Sequence, residues 1–213
     1  KQAYRAFNAQ LLAEEEPAAD ETVLTSGKSY SNVFHANGGN AAFSVMANTL
    51  RGVYGTDVLL ATANSFTGSV LKADYTPKMA DSMIMPNGLM SRQRTMTGAE
   101  LKGLVRAYVE GCEGGFVPFN RGSLPIVSGI AVEVKEASGS YTLTGITRNG
   151  QPLRDDDTVT VTCLAAEKQM EALLASESGV SAGEDTWVKN TWRDHVSGGG
   201  AALAEPENYM TLR

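Results

Sequence analysis

Cysteine and histidine are both scarce, with two of each in 213 residues, and basic side chains are outnumbered, 18 Lys and Arg against 24 Asp and Glu, for a net charge of −6. Each shortage excludes something. Cys112 and Cys163 are too few for a disulfide framework and neither belongs to a CxxC pair, so they read as two small buried thiols or one bridge, and the redox compartment stays open. His35 and His195 stand alone, without the second histidine, carboxylate or thiol at ligand spacing that a zinc or two-metal centre needs. The acidic balance lacks the concentrated basic field that displaces counterions from nucleic acid or docks on anionic lipid. Long apolar runs are missing as well: Val58 to Ala63 falls far short of the ~20 residues of a membrane span. There is no P-loop lysine, no internal repeat, heptad or low-complexity tract.

What remains is a globular composition, 42% hydrophobic and 20% charged. A domain of this size buries roughly 70% of the surface of its unfolded chain, so one core suffices without metal or disulfide staples. The chain starts at Lys1 with no initiating Met and no charged leader before an apolar run, which reads as a piece whose targeting signal lies elsewhere. Tyr4, Phe7, Leu11 and Leu12 share a helical face that Pro17 closes, and EEEPAADE forms an acidic connection, so residues 1–20 are expected to be a linker helix and 21–213 the body. A helix is expected over 40–52, capped by Asn40 and burying Phe43, Met46, Ala47 and Leu50. Residues 57–63 read as a strand covered on both faces. A further strand is expected at 83–85, then a helix over 98–110 opened by the capping-box spacing of Thr97 and Glu100. Beyond the glycine-rich loop at 111–123 the pattern turns to β segments: 124–135, with Ile130, Val132 and Val134 on one face, 141–147 before the turn Asn149-Gly150, and 158–163 as the continuation of that hairpin. Helices at 165–175 and, capped by Asp185, around Trp187, Val188, Trp192 and Val196 complete an α+β fold of layered mixed sheets flanked by helices. In it, the helices at 40–52 and 98–110 pack on a sheet holding 57–63 and 126–135.

Few residues announce chemistry on their own. Gly38-Gly39-Asn40 at a helix start reads as a turn and cap, Asp155-Asp156-Asp157 as a solvated charge run without the glycine and bidentate Glu of a calcium loop, and His35 and His195 as satisfied or surface side chains. Trp187 and Trp192, five apart on one helix, do not share a face, so one is expected in the core and the other at the surface.

Five segments in order give the chain a resemblance. Gly39-Asn40 before AAFSVMANTL, TDVLLATAN, MIMPNGLMSRQRTMTGAELKGLV, IVSGIAVEV and TVTVTCLAA, with the tail PENYMTLR, together resemble the C-terminal domain of the 5′-nucleotidase family, which includes UDP-sugar hydrolases and 2′,3′-cyclic-nucleotide phosphodiesterases. The matched positions are Asn64, Pro86, Thr97-Gly98, Leu101 and Ser128-Gly129, over about residues 23–213. The resemblance implies an N-terminal metallophosphoesterase domain that carries two divalent metals and the catalytic histidine, joined by the linker helix. It further implies a periplasmic, secreted or surface location, and a C-terminal domain that binds a nucleotide or nucleoside, its base sandwiched between two phenylalanines. Here those phenylalanines are replaced by Asn87 and Cys163, the GGIR arginine has no counterpart in Ser65 to Val70, and the following GGDgy is Glu167-Lys168-Gln169-Met170. No catalytic or metal-binding residue is therefore expected in the chain. Asn64, Phe66, Asn87, Phe116, Phe119 and Arg121, with Arg92 and Arg94 nearby in sequence, are the candidate substrate-binding groups. Three readings stand: a recognition domain with shifted specificity, a scaffold or surface interaction module without ligand, and an unrelated α+β fold sharing the motif order.

Overall fold

The computed structural model describes residues 21–33, 39–62, 65–84, 89–110, 125–166, 186–198 and 201–213. Its centre is a five-stranded mixed sheet built from β2 (Val58–Ala61), β4 (Leu89–Thr97), β5 (Ile126–Ser128), β9 (Thr158–Ala166) and β10 (Thr186–Trp187), in the order β10-β4-β9-β2-β5. β9 runs parallel to β2 and antiparallel to β4. Its residues Val161 to Ala165 are all buried, which explains a segment in which threonines and apolar residues alternate without either face being wet. The helix α1 (Ala41–Tyr54) packs on β2 and β5, and buries Phe43, Met46, Ala47 and Leu50 as the periodicity predicts. Asn40 caps it, its Oδ1 accepting from the Phe43 N–H at 3.0 Å.

A four-stranded sheet stands beside the central one, built from β6 (Ala131–Ala137), β7 (Ser140–Arg148), β8 (Gln151–Pro152) and β12 (Met210–Leu212) in the order β12-β6-β7-β8. The helix α3 (Gly98–Glu110) packs on β7 and, less extensively, on β4, so it joins the two sheets rather than only covering one. Its start is the expected capping box, with the Thr97 N–H donating to Glu100 at 2.6 Å and the Glu100 N–H to Thr97 Oγ1 at 3.2 Å. A third sheet joins β1 (Leu24–Ser26), β3 (Ala73–Tyr75) and β11 (Ala201–Ala202), with β1 in the middle. Two further helices, α2 (Pro77–Asp81) and α4 (Val188–Ser197), pack on each other, and Trp192 sits at 0% exposure with its Nε1 donating to the Ala80 carbonyl at 2.8 Å. Among the described residues no helix is long and apolar enough to cross a membrane.

The α+β architecture of layered mixed sheets and helices is as expected; several elements differ. The expected strand at 83–85 is, among the described residues, only the single bridge of Ile84 to Phe66, whereas the nine-residue β4 follows at Leu89–Thr97. Arg92, Gln93 and Arg94 hide β4 from a hydrophobicity reading, although β9 pairs with it along its whole length. Residues 124–135 do not form one strand: Gly129 divides β5, in the central sheet, from β6, in the neighbouring one. Residues 158–163 do not continue the hairpin, because β7 pairs with β8 through the Asn149-Gly150 turn (φ +52° and +75°) and β9 crosses into the central sheet. The helix expected from 165 begins instead as the end of β9, and residues 167–175 lie outside the described residues. Asp185 also lies outside them; the N-cap of α4 is Trp187, which makes no side-chain capping bond. The linker helix at 1–20 lies outside the described residues.

Candidate functional site

Of the six candidate binding residues the structure describes one. Phe66 is buried at 3% exposure, its ring 5.8 Å from that of Phe43 and tilted by 50°. Asn64, Asn87, Phe116, Phe119 and Arg121 lie outside the described residues, as do His35 and Cys112. The described neighbours of Asn64 form a compact corner after β2: the Ser65 N–H donates to the Thr62 carbonyl at 2.9 Å, and the Thr62 N–H to Ser65 Oγ at 3.2 Å. Cys163, which stands where the resemblance has its second phenylalanine, is a buried thiol at 1% exposure within β9, so it fills core and offers no surface on which a base could stack. Arg92 and Arg94 pair in register with Cys163 and Val161. Arg94 Nε and Nη1 are buried without a hydrogen-bond partner, as is His195 Nε2, although the His195 ring lies 5.8 Å from that of Trp192. The tryptophans divide as expected: Trp192 in the core, Trp187 48% exposed.

Two of the matched glycines have structural causes. A Cβ on Gly129, at φ +84°, would lie 2.0 Å from the Asp57 carbonyl oxygen, and one on Gly98 would lie 1.9 Å from the Arg154 carbonyl oxygen. The latter glycine lets the start of α3 dock on the Asp155-Asp156-Asp157 turn, where the Gly98 N–H donates to the Asp157 carbonyl and the Ala99 N–H to that of Asp155. The Asp157 carboxyl in turn is held below the usual aspartate range, chiefly by the Arg154 backbone N–H. The acidic run is thus an anchor for a helix, with Asp155 and Asp156 largely in solvent. Among the described residues no three His, Cys, Asp or Glu side chains are grouped so as to hold a metal ion. These residues do not fit the two metals of the resemblance.

Among the described residues, polar groups converge at the start of β2. A cavity of about 350 Å³ lies where the end of α1, the start of β2, the β5–β6 turn, the β7–β8 turn and the segment before β12 meet. Arg51 reaches it from α1, held by Nε to Ser128 Oγ at 2.8 Å, by Nη2 to Asn48 Oδ1 at 2.8 Å and by Nη2 to Glu207 Oε1 at 3.2 Å. Glu207 Oε2 accepts from the Gly129 N–H at 3.1 Å. Across from it Arg148 Nη2 donates to Asp57 Oδ1 at 2.5 Å. Asp57 Oδ2 accepts from both the backbone N–H and the hydroxyl of Thr160, at 2.8 and 2.9 Å. The Thr160 backbone N–H is the largest influence holding the Asp57 carboxyl below its ordinary range; partial burial opposes it, while the Thr160 hydroxyl, Arg148 and Arg51 reinforce it. Sequence reading did not single out Arg51, Asp57, Arg148 or Glu207, because partners 91 and 156 residues apart leave no local spacing to detect.

No family model matches the sequence, and no curated protein matches it by sequence. Comparison of folds is positive: the mixed-sheet architecture is that of a domain found in several larger proteins. The NAD nucleotidase of Haemophilus influenzae superposes with a TM-score of 0.68 at 16% identity, over 100% of this chain and 42% of that one. The 5′-nucleotidase precursor of Thermus thermophilus gives 0.65 at 13% identity, over 99% and 42%. The sulfate thiohydrolase SoxB of the same organism gives 0.66 at 12% identity, over 99% and 38%. The chain therefore spans about two fifths of the proteins it is similar to, a portion consistent with their C-terminal domain, and the similarity at these identities is one of fold.

Proposed function

We propose that this chain is the C-terminal, substrate-recognising part of a larger secreted or surface phosphohydrolase of the 5′-nucleotidase type, with a nucleotide-binding face rebuilt from the family's pattern. The observation that carries this reading is the match over essentially the whole chain to a like-sized portion of two nucleotidases. In that reading the two divalent metals and the hydrolytic step belong to an N-terminal metallophosphoesterase domain of the full-length protein, since the described residues group no metal ligands. Asn64, Asn87, Phe116, Phe119 and Arg121 hold the substrate, with Phe66 supporting them from the core. Arg121 supplies the phosphate contact, a geometry in which guanidinium forms paired hydrogen bonds. With Cys163 buried in the sheet, a base sandwich between two rings is not available in the family's usual form, so phosphate and sugar contribute more of the affinity than the base.

Thermal unfolding with adenosine, AMP and UDP-glucose tests this. A ligand that binds only the folded state raises its stability by about 2.7 kcal/mol at a hundredfold excess over Kd. AMP or UDP-glucose is expected to raise the midpoint saturably, adenosine to leave it nearly unchanged, and Arg121→Gln to remove the rise. No rise with any of the three would overturn the recognition role and leave a scaffold or interaction module as the better reading.

A further inference from the structure

We propose that the cavity between Arg51 and Arg148 is a second binding site, for a small oxyanion such as a phosphate ester or a carboxylate. It lies at the start of β2 and its lining shares no residue with the recognition face proposed above, so neither proposal depends on the other.

The argument is one of donors and acceptors. Both cavity carboxylates are already engaged: Asp57 accepts from Arg148 and twice from Thr160, Glu207 from Arg51 and from the Gly129 N–H. The guanidiniums are not used up. A guanidinium carries five N–H donors. Arg148 commits only Nη2, and Arg51 commits Nε and Nη2, which leaves Nε and Nη1 of Arg148 and Nη1 of Arg51 without a protein acceptor among the described residues. Their side chains are 29% and 28% exposed, so they are half sunk in the wall yet reachable. Asn149 and Asn208, also lining the cavity, make no side-chain hydrogen bond among the described residues. A surplus of donors on residues that line one cavity is complemented by a ligand that brings acceptors. An oxyanion brings them together with a negative charge, and charge-assisted bonds from guanidinium are roughly twice as strong as neutral ones.

The site is also built in advance. Gly129 cannot bear a side chain without striking the Asp57 carbonyl, so the β5–β6 turn and the start of β2 are locked together. Ser128, Asn48 and Glu207 fix the Arg51 fork, and Asp57 fixes Arg148. Side chains held in place before binding lose less freedom on binding. The paired carboxylates cancel part of the arginine field, so the expected affinity is weak, on the order of millimolar.

Amide NMR of the folded chain gives the test, because Gly55, Gly129 and Gly150 all line the cavity and report on it directly. Inorganic phosphate and succinate are titrated against sodium chloride at matched ionic strength. The expected result is a saturable movement of these three glycine signals with phosphate, succinate or both, absent with chloride; which probe saturates tells a phosphate ester from a carboxylate ligand. Arg148→Gln is expected to weaken the apparent affinity about tenfold, with Arg148→Lys, which keeps the charge beside Asp57, intermediate and serving as the folded comparison should the glutamine variant lose structure. Three outcomes would each overturn the proposal: no saturation with either probe, the same drift with chloride, or an unchanged affinity in both Arg148 variants.

Discussion

The two ends of the short strand β2 are built on different physics. Its start, at Thr56 and Asp57, is polar: hydroxyls, two arginines and two carboxylates link the central sheet to its four-stranded neighbour. Its far end runs through Ala61 into the Thr62–Ser65 corner and the buried contact of Phe66 with Phe43. The positions that resemble the nucleotidase family also divide. Gly98 and Gly129 are dictated by carbonyl oxygens 1.9 and 2.0 Å from where a Cβ would stand, and Asn40 by the open N–H groups of α1. At the two positions where the resemblance expects aromatic rings the sequence has Asn87 and Cys163, and Cys163 is buried. Motif positions fixed by close packing report the fold, and they persist whether or not a ligand is bound.

The comparison is broken most forcefully at the apolar end. Phe66→Ala removes a ring at 3% exposure from the main core, and truncations of this kind destabilise by about 3–5 kcal/mol. Urea unfolding of the two proteins measures it, and a loss below about 1 kcal/mol would mean that the corner can collapse around the hole, against the packing described for it. Next comes Gly129→Ala at the polar end. The new methyl meets backbone, which yields less readily than a side chain, and the left-handed φ of +84° adds strain. A loss of about 3 kcal/mol is expected, at the upper end for overpacking. The cavity-lining amides of Gly55 and Gly150 should shift with it while those near Phe66 stay in place. If the disturbance is instead spread evenly over both ends, the two regions are not mechanically separate.

The sequence carried most of the helices and the buried strands, because those depend on local periodicity and on capping residues three positions apart. Residues 98–110 were legible to the residue, since Thr97 and Glu100 form their capping box within one turn. β4 was not legible, because its polar side chains are tolerated through pairing with β9, a partner distant in the chain. Nor was the destination of β9, which turn residues at 149–150 cannot specify. Of the candidate binding residues only Asn64 and Asn87 rested on motif positions, while Phe66, Phe116, Phe119 and Arg121 were chosen by residue type, and residue type has no period to read. The arginine cavity escaped for a related reason: α1, β2, two turns and the C-terminal segment are brought together by the sheets, and only the folded chain sets Arg148 against Asp57.

The smallest effect separates the two ends by pH. Asp57 is held below its ordinary value of 3.8, first by the Thr160 N–H and then, against partial burial, by the Thr160 hydroxyl, Arg148 and Arg51. A carboxyl whose folded value lies below its unfolded one adds stability at pH values above the unfolded value, and that stability is lost as the pH falls through the folded value. Unfolding free energy should therefore decline from about pH 5 downward, in part through Asp57. Asp57→Asn keeps an acceptor for the Thr160 N–H and discards the charge beside Arg148, so it should be less stable than the native chain at neutral pH and draw level with it as the pH falls through the folded value. The side chain is 34% exposed, so solvent screening keeps the difference well below that of Phe66→Ala. Phe66→Ala has no titrating group to lose, and its deficit should stay constant over the same pH range. Parallel pH profiles for Asp57→Asn and the native chain would show that neither Thr160 nor Arg148 favours the charged form of Asp57 in the folded chain.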